Sequence, residues 1–453
     1  MHMIDVIILA AGQGSRMRSS QPKVLHEIGG KSMLDHVVDA AMSLKDVKLH
    51  IVVGHGADAV KASLTQPCHI IEQTEQLGTA HAVSQALPNL SPDSQVLILY
   101  ADVPLIQPET LTSMLAAVDA ESIAVLTANL ADPTGYGRIV RNKASEVIDI
   151  VEHKDATEQQ RQITEINTGI MCIPQAYLSR WLPKVENNNA QQEYYLPDVI
   201  AMAVVDGVRI HTPQPKYFYE VEGVNNRKQL ALLERHYQQQ VANGLMLAGA
   251  TLADPARVDV RGSLTVGKDV YIDVNTVFIG NVEIDDGVSI GPNCVITEAT
   301  IGAESEIYAN SVIESAQVGQ HCQIGPFARL RPGAKLANKV KVGNYVEVKN
   351  ATLADGSKVN HLSYIGDATI GSNTNVGAGT ITCNYDGANK HKSVLGNDVF
   401  IGSNSTLVAP LEVADGGFVG AGSTITEAVP KNNLAIGRGR QKNISGWKKP
   451  EKK

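Results

Sequence analysis

In the second half of this chain apolar residues recur at every sixth position. From Val318 the rungs are Ile324, Leu330, Leu336, Val342 and Val348, and the ladder returns as Ile401, Leu407, Val413, Val419 and Ile425. The residue after a rung is often small, as at Gly319, Gly325, Gly343, Gly402, Ala414 and Gly420. A period of six fits neither the helical repeat of about 3.6 nor the strand repeat of about 2. It predicts a parallel β-helix, in which each hexad supplies a short strand and a corner. The branched rung points to the axis, and the small neighbour lets the backbone turn. Three hexads close a coil, and coils stack at the strand spacing of ~4.8 Å. Residues from about 251 to 437 read as one solenoid. The ladder breaks between Ile381 and Leu395 at CNYDGANKHKS, which predicts a loop leaving the coil.

The first half follows a different pattern. The run Ile4–Ala11 is apolar and rich in branched residues, and it ends in Gly12-Gln13-Gly14-Ser15-Arg16-Met17. A buried parallel strand entering a glycine-rich turn is a setting for phosphate binding, because the turn's amides can face a polyphosphate. The turn matches neither a Walker loop nor the GxGxxG fingerprint, since Met17 stands where the third glycine would be. Strand patterns follow at His50–Val53, Cys68–Ile71, Gln95–Leu99 and Ile123–Thr127, with helical patterns at Leu34–Leu44 and Thr79–Leu87 between them. This alternation predicts a Rossmann-like α/β domain with a mostly parallel sheet, whose ligands sit beyond the carboxyl ends of the strands. Leu9–Gly14, Gln73–Thr79 and Tyr100–Asp102 are those ends, so they are expected to share one pocket. Asp102 could hold Mg²⁺ there, or could simply cap the next helix.

After Asn225, Leu230, Leu233, Tyr237 and Val241 form one helical stripe, and Asn243-Gly244 is the expected stop. The division expected is an α/β domain at 1–225, a linker helix at 226–250, and a β-helix domain with a tail at 251–453.

Net charge is −8, from 39 basic and 47 acidic residues, which gives no general reason to expect nucleic acid or a membrane as partner. The exception is the end of the chain, where Arg438, Arg440, Lys442, Lys448, Lys449, Lys452 and Lys453 collect. Five scattered cysteines form no CxxC pair, no apolar run approaches the ~18 residues of a membrane span, and the first residues lack a signal-peptide layout. A cytoplasmic protein is expected.

Longer motifs carry a resemblance. LAAGQGSRM (9–17) followed by Gln21-Pro22-Lys23 resembles the nucleotidyltransferase signature of sugar-1-phosphate pyrophosphorylases, and the hexads resemble left-handed β-helix acyltransferases. EQLGTAHA (75–82), PTGYGRIV (133–140), NTGI (167–170), GVNNR (223–227), RLRPGA (329–334), VEVKN (346–350), HLSYIGD (361–367) and GAGTITCNYDG (377–387) extend the likeness over nearly the whole chain. It resembles the bifunctional family joining an N-acetylglucosamine-1-phosphate uridyltransferase to a glucosamine-1-phosphate N-acetyltransferase. The left-handedness of the solenoid is implied by that resemblance alone.

The resemblance further implies that Leu9, Ala10, Ala11, Gly12 and Lys23 hold UTP, with Tyr100 beside them, and that Gln73, Gly78 and Thr79 read the uracil. Gly137, Glu152 and Asn167 would bind the sugar, and Asp102 with Asn225 would ligate Mg²⁺. The sugar phosphate is already an anionic nucleophile. What the reaction needs is alignment and charge neutralisation, the catalytic work of Arg16 and Lys23 beside the metal.

For acetyl transfer from acetyl-CoA, His361 would be the general base that takes the amine proton of glucosamine-1-phosphate, with Glu347 expected to orient its ring. Arg331, Lys349, Tyr364, Asn375, Asn384 and Tyr385 would bind the sugar phosphate. Ala378, Ser403, Ala421 and Arg438 would contact acetyl-CoA, with the Ala378 amide as an oxyanion donor. The family forms homotrimers with acetyltransferase sites between subunits, and the loop carrying Asn384 and Tyr385 is expected to reach a neighbouring chain.

Two positions depart from the family pattern. Ser15 replaces the usual threonine, and Ala101 replaces a glycine where the backbone is expected to approach ligand. Three rival readings are a uridylyltransferase on a silent scaffold, a zinc hydratase using His321, His361 and His391, and a structural trimerisation protein with a nucleotide-sensing head.

Overall fold

The computed structural model describes residues 3–450; Lys452 and Lys453 of the basic end lie outside the described residues. The chain divides into two compact units, Met1–Tyr237 and Gln238–Lys453.

The first unit is built on a nine-stranded sheet, whose main path runs Arg209–His211, Ser122–Asn129, Glu165–Pro174, Gln95–Tyr100, Ile4–Ala10, Val47–Val53 and His69–Glu72. Pairing is parallel except around Glu165–Pro174, which opposes both neighbours and carries the hairpin Gly137–Arg141/Val147–Val151. Ile4–Ala10 is apolar at nearly every position because it is covered on both faces. Val6, Ile8 and Ala10 join one core with Leu34 and Val38 of the helix Met33–Met42. Ile7 joins the opposite core with Ala80 and Val83 of the helix Thr79–Ala86. Ser32 caps the first of these helices, accepting the Asp35 amide at 3.0 Å.

Asp5 is the polar exception in that run. It is fully buried and accepts a hydrogen bond from His50 Nε2 at 2.8 Å and one from the Ser91 amide at 2.7 Å. Burial pushes its carboxyl up, but bonds from His50, Ser94 and the Ser91 amide outweigh that and hold it below the usual carboxylate range.

The helix after Asn225 runs Arg227–Leu247, past the expected stop at Asn243-Gly244. Glycine weakens a helix without ending it. The Gly244 carbonyl still accepts the Ala248 amide at 2.9 Å, and the chain leaves the helix only at Gly249, whose φ is +110°. At the start, Asn226 Oδ1 accepts the amides of Lys228 and Gln229, each at 3.0 Å.

The second unit is a left-handed parallel β-helix with strands from Thr251–Leu252 to Leu434–Ala435. The strict six-residue ladder is a local register. Ile324 pairs with Val342, eighteen residues on, whereas Val342 pairs with Val359, seventeen on, so some corners drop a residue. Ile324, Leu330, Val342, Val348, Ile401, Leu407, Val413 and Val419 are wholly buried in one continuous core. Gly343 shows why a small residue follows the rung. A Cβ there would lie 2.0 Å from the Asn360 carbonyl of the next coil. At the expected break Ala368 pairs with Ser393, twenty-five residues on, and the surplus leaves as a loop closed by the Tyr385/Lys390 bridge.

Three expectations follow. Asp5→Ala strands a buried histidine and is expected to lower the stability of the first unit by about 3 kcal/mol in urea denaturation. Because the folded carboxyl is depressed, Asp5 stabilises fully above its unfolded value of about 3.9 and loses that contribution as pH falls through the lower folded value. Asp5→Asn should flatten acid unfolding; an unchanged profile refutes the pairing. Gly343→Ala should lower the melting transition of the β-helix unit and leave that of the other unit in place.

Candidate active sites

In the first unit, the strand ends gather as the α/β pattern requires. Leu9, Ala10, Ala11, Gly12, Lys23, Gln73, Gly78, Thr79, Tyr100 and Asp102 line one cleft of about 240 Å³. Gly14 lets the turn fold back with φ +62°, since a side chain there would meet Lys23 Cβ at 2.5 Å. The cleft also includes Gln76, which lies in the motif EQLGTAHA without an assigned role, and Glu193, which lies in none of the motifs. Glu193 arrives on an irregular segment that docks by backbone bonds, Tyr194 N–H to Leu77 O at 2.8 Å and Ala80 N–H to Tyr194 O at 2.9 Å. Only the small size of Gly78 hints at that approach, since a Cβ there would sit 2.5 Å from the Tyr194 carbonyl.

An adjoining hollow of about 320 Å³ shares Tyr100 and Asp102 and adds Arg16, Thr134, Tyr136, Thr168, Gly223 and Asn225. The Lys23 ammonium is ion-paired with Asp102, and Arg16 donates to Asn225 Oδ1 at 2.9 Å. Gly137, Glu152 and Asn167 form a group of their own. Gly137 pairs with Asn167 across the antiparallel ladder, and the Glu152 carboxylate is 2.9 Å from where a Gly137 Cβ would be. Burial, then Asp155 and Asp198, push the Glu152 carboxyl up. Burial together with Asp149 and Asp155 pushes Asp198 up to about 6. Tyr100 is also pushed up, first by burial and then by the charges of Glu152 and Asp102, which ties this group to the cleft.

The extra methyl of Ala101 does not face ligand. Ala101 is fully buried, and its side chain belongs to the sheet's hydrophobic core. The expected obstruction is absent because the position faces inward.

In the β-helix, one corner stacks His361, Ala378, Ser403 and Ala421 on successive coils. Gly379 N–H bonds His361 O at 3.1 Å, Asn404 N–H bonds Ala378 O at 2.7 Å, and Gly422 N–H bonds Ser403 O at 2.8 Å. Arg438 ends the column, donating to the Ala421 carbonyl at 2.5 Å. The partner of His361 corrects an expectation. Its Nδ1 lies 2.7 Å from Asn344 Oδ1, the residue paired with it one coil earlier, while Glu347 is taken by Arg331 at 2.7 Å. The seventeen-residue coil puts Asn344 beneath His361, a relation visible in the sequence only once coil length is known.

Around the next turn lies a charged group. Arg331 and Glu347 adjoin Tyr364, which pairs with Glu347 in the ladder, and Lys349 is 3.7 Å from Asp367. Asp367 also binds Asn384 and, at 2.6 Å, Asn350. Desolvation pushes the Asp367 carboxyl up, but bonds from Asn350 and Asn384 and the charges of Lys349 and Lys390 outweigh it and hold it low. Two expected residues stand apart from this group. Asn375 lies on another face, between Lys358 and Phe400 in its ladder, and Tyr385 is exposed on the loop with its hydroxyl donating to Gly387 O at 2.6 Å.

Among the described residues no three His, Cys, Asp or Glu side chains are grouped to hold a metal ion, and no helix is long and apolar enough to cross a membrane.

A family profile described as MobA-like NTP transferase domain matches residues 6–190, and one described as GMPPB C-terminal domain matches residues 260–342. The chain is 58% identical over 453 residues to Bifunctional protein GlmU of Marinobacter nauticus, covering 100% of both chains. It is also 58% identical over 451 residues to Bifunctional protein GlmU of Stutzerimonas stutzeri, covering 99% of this chain and 100% of that one. Full-length likeness of this degree, across both units, means that the chain belongs to the GlmU family of bifunctional proteins.

Proposed function

We propose that this chain makes UDP-N-acetylglucosamine in two steps at two sites. It acetylates glucosamine-1-phosphate with acetyl-CoA, then transfers uridylyl from UTP to the N-acetylated sugar phosphate and releases pyrophosphate. The observation that carries this reading is the convergence of ten expected residues on a single cleft of the first unit, in a chain of this family.

For uridylyl transfer, the turn Leu9–Gly12 offers backbone amides to the nucleotide, and Gln73, Gly78 and Thr79 read the base. Lys23 exchanges its bond with Asp102 for phosphate oxygens, and Arg16 does the same from Asn225. Gly137, Glu152 and Asn167 hold the sugar so that its phosphate faces the α-phosphorus in line. Asp102 and Asn225 present two hard oxygen donors to one hollow. That set fits Mg²⁺, an ion that takes one or two protein ligands and completes its shell with water and phosphate. When bound, Mg²⁺ supplies neutralisation of the charge that develops on pyrophosphate.

For acetyl transfer, His361 takes the proton of the attacking amine, and Asn344 fixes the ring through Nδ1 so that Nε2 faces the substrate. The Ala378 amide supports the tetrahedral oxyanion. Arg331, Lys349, Tyr364 and Asn384 bind the sugar phosphate, exchanging carboxylates for phosphate. The coenzyme lies along the corner column past Ser403 and Ala421 to Arg438, which at ~4.8 Å per coil is roughly 19 Å from His361. Asn375 and Tyr385 lie away from the charged group, which supports a homotrimer in which neighbouring copies complete each site. A silent scaffold would leave the His361–Asn344 pair and the Arg331–Asp367 group without use. Five free cysteines and these substrates support a cytoplasmic setting.

His361→Ala should abolish thiol release from acetyl-CoA and spare pyrophosphate release from pre-acetylated substrate, while Asp102→Ala should do the reverse. Loss of both activities in either folded variant contradicts the two-site assignment. Asn344→Ala should lower kcat for acetyl transfer by about 10- to 100-fold with little change in KM. A normal kcat would remove Asn344 from the mechanism.

A further inference from the structure

Arg138 breaks the usual rule for a charged side chain. It follows Gly137 on the strand Gly137–Arg141, is 1% exposed, and is one of the largest wholly buried side chains. Arginine is seldom buried so fully without a carboxylate beside it, because taking a charge out of water is costly. Here its bonds go to other acceptors: the Tyr136 carbonyl, His153 Nδ1 at 3.4 Å and the Arg161 carbonyl at 3.4 Å. Its Nε has no partner, and among the described residues no carboxylate forms an ion pair with it.

Its surroundings are the three residues of the sugar group. In the sheet Arg138 sits between Ile166, the neighbour of Asn167, and Val151, the neighbour of Glu152. The guanidinium bonds extend that reach. Tyr136, whose carbonyl it holds, precedes Gly137; His153 follows Glu152; and Arg161 ends the short helix Glu158–Arg161. One side chain thus braces from inside both the strand that carries Gly137 and the strand end that carries Glu152.

Its charge matters as well as its bonds. Burial pushes the Glu152 carboxyl up, Asp155 and Asp198 push it further, and the Arg138 charge pulls it back. Tyr100 and Tyr195 also sense Glu152, but burial pushes both phenols up, so neither carries charge near neutrality. Burial works against the Arg138 cation itself, while Asp132 and Glu152 favour it and Arg161 opposes it. An ionised carboxylate accepts hydrogen bonds at both oxygens, which is what sugar hydroxyls require.

We propose that Arg138 is a positioning residue of the uridylyl-transfer site: without touching substrate, it sets Gly137 and Glu152 for the acceptor sugar and supplies the buried positive charge behind the Glu152 carboxylate. The inference rests on the assignment of Gly137, Glu152 and Asn167 to that sugar.

The test follows pyrophosphate release by the full chain in Arg138→Lys and Arg138→Met, varying N-acetylglucosamine-1-phosphate at saturating UTP and Mg²⁺. Both variants lose the brace, so KM for the sugar phosphate should rise about tenfold or more while KM for UTP stays near its original value. The two differ in charge. Without the cation Glu152 keeps its proton to higher pH, so the acid limb of kcat/KM for the sugar phosphate should move up in Arg138→Met. In Arg138→Lys, which keeps the charge, the limb should stay in place. Titration of the substrate phosphate is common to both and cancels. A merely structural arginine would weaken UTP and sugar phosphate alike and move no limb, and that result overturns the proposal. Should Arg138→Met fail to fold, Arg138→Lys decides alone: an unchanged KM for the sugar phosphate, or an equal rise for UTP, overturns it. If Glu152→Gln leaves KM for the sugar phosphate unchanged, the assignment of the sugar site itself is what fails.

Discussion

The second unit depends on one constraint: successive coils must stack by backbone hydrogen bonds after seventeen or eighteen residues. That return period decides which side chains meet. It puts Asn344 under His361 and His361 under Ala378, aligns Ser403 with Ala421, and sets Glu347 beside Tyr364, while Ala378 meets Ser403 twenty-five residues on because that coil also carries the loop. It also explains the small residues after the rungs, because at Gly343 the next coil's carbonyl comes too close for any Cβ. The first unit answers to a comparable rule. A parallel sheet covered on both faces leaves only its strand ends for ligands, so one cleft collects residues more than ninety positions apart, from Leu9 to Asp102.

Both candidate sites hold their cations on internal acceptors. Lys23 rests on Asp102, Arg16 on Asn225, Arg331 on Glu347 and Lys349 on Asp367. Such pairs keep long side chains near the positions where phosphates are to be met, at modest cost in exposed or half-buried settings. Under the proposed function Asp102 would exchange Lys23 for the metal, and that exchange would couple phosphate binding to metal binding.

Much of this was legible in the sequence, for physical reasons that differ by element. The hexad ladder was visible because each rung must be branched and buried. Gln95–Tyr100 was legible to within one residue because its doubly covered core is continuously apolar, whereas Val47–Val53 begins three residues before the expected His50 because Lys48 breaks the apolar run. Gly244 misled because a glycine in a helix is only a penalty, and the chain stops where φ turns positive at Gly249. The Glu347–His361 pairing failed because it treated an acid as the natural partner of a histidine, while the coil register selects a neutral amide. Glu193 could not be foreseen, since it reaches the cleft on an irregular segment with no periodic pattern, held by bonds to residues distant in sequence such as Leu77 and Thr79. Ala101 looked like an obstruction only because strand-end geometry hides which way a Cβ points.

The central claim is that two independent activities act in sequence within one chain. The most direct measurement mixes glucosamine-1-phosphate, acetyl-CoA, UTP and Mg²⁺ with the protein and follows free thiol and pyrophosphate separately. Thiol should appear first and depend on the amino sugar, with pyrophosphate rising only after it. Pyrophosphate without thiol, or thiol release indifferent to the amino sugar, would contradict the claim and leave the β-helix a scaffold.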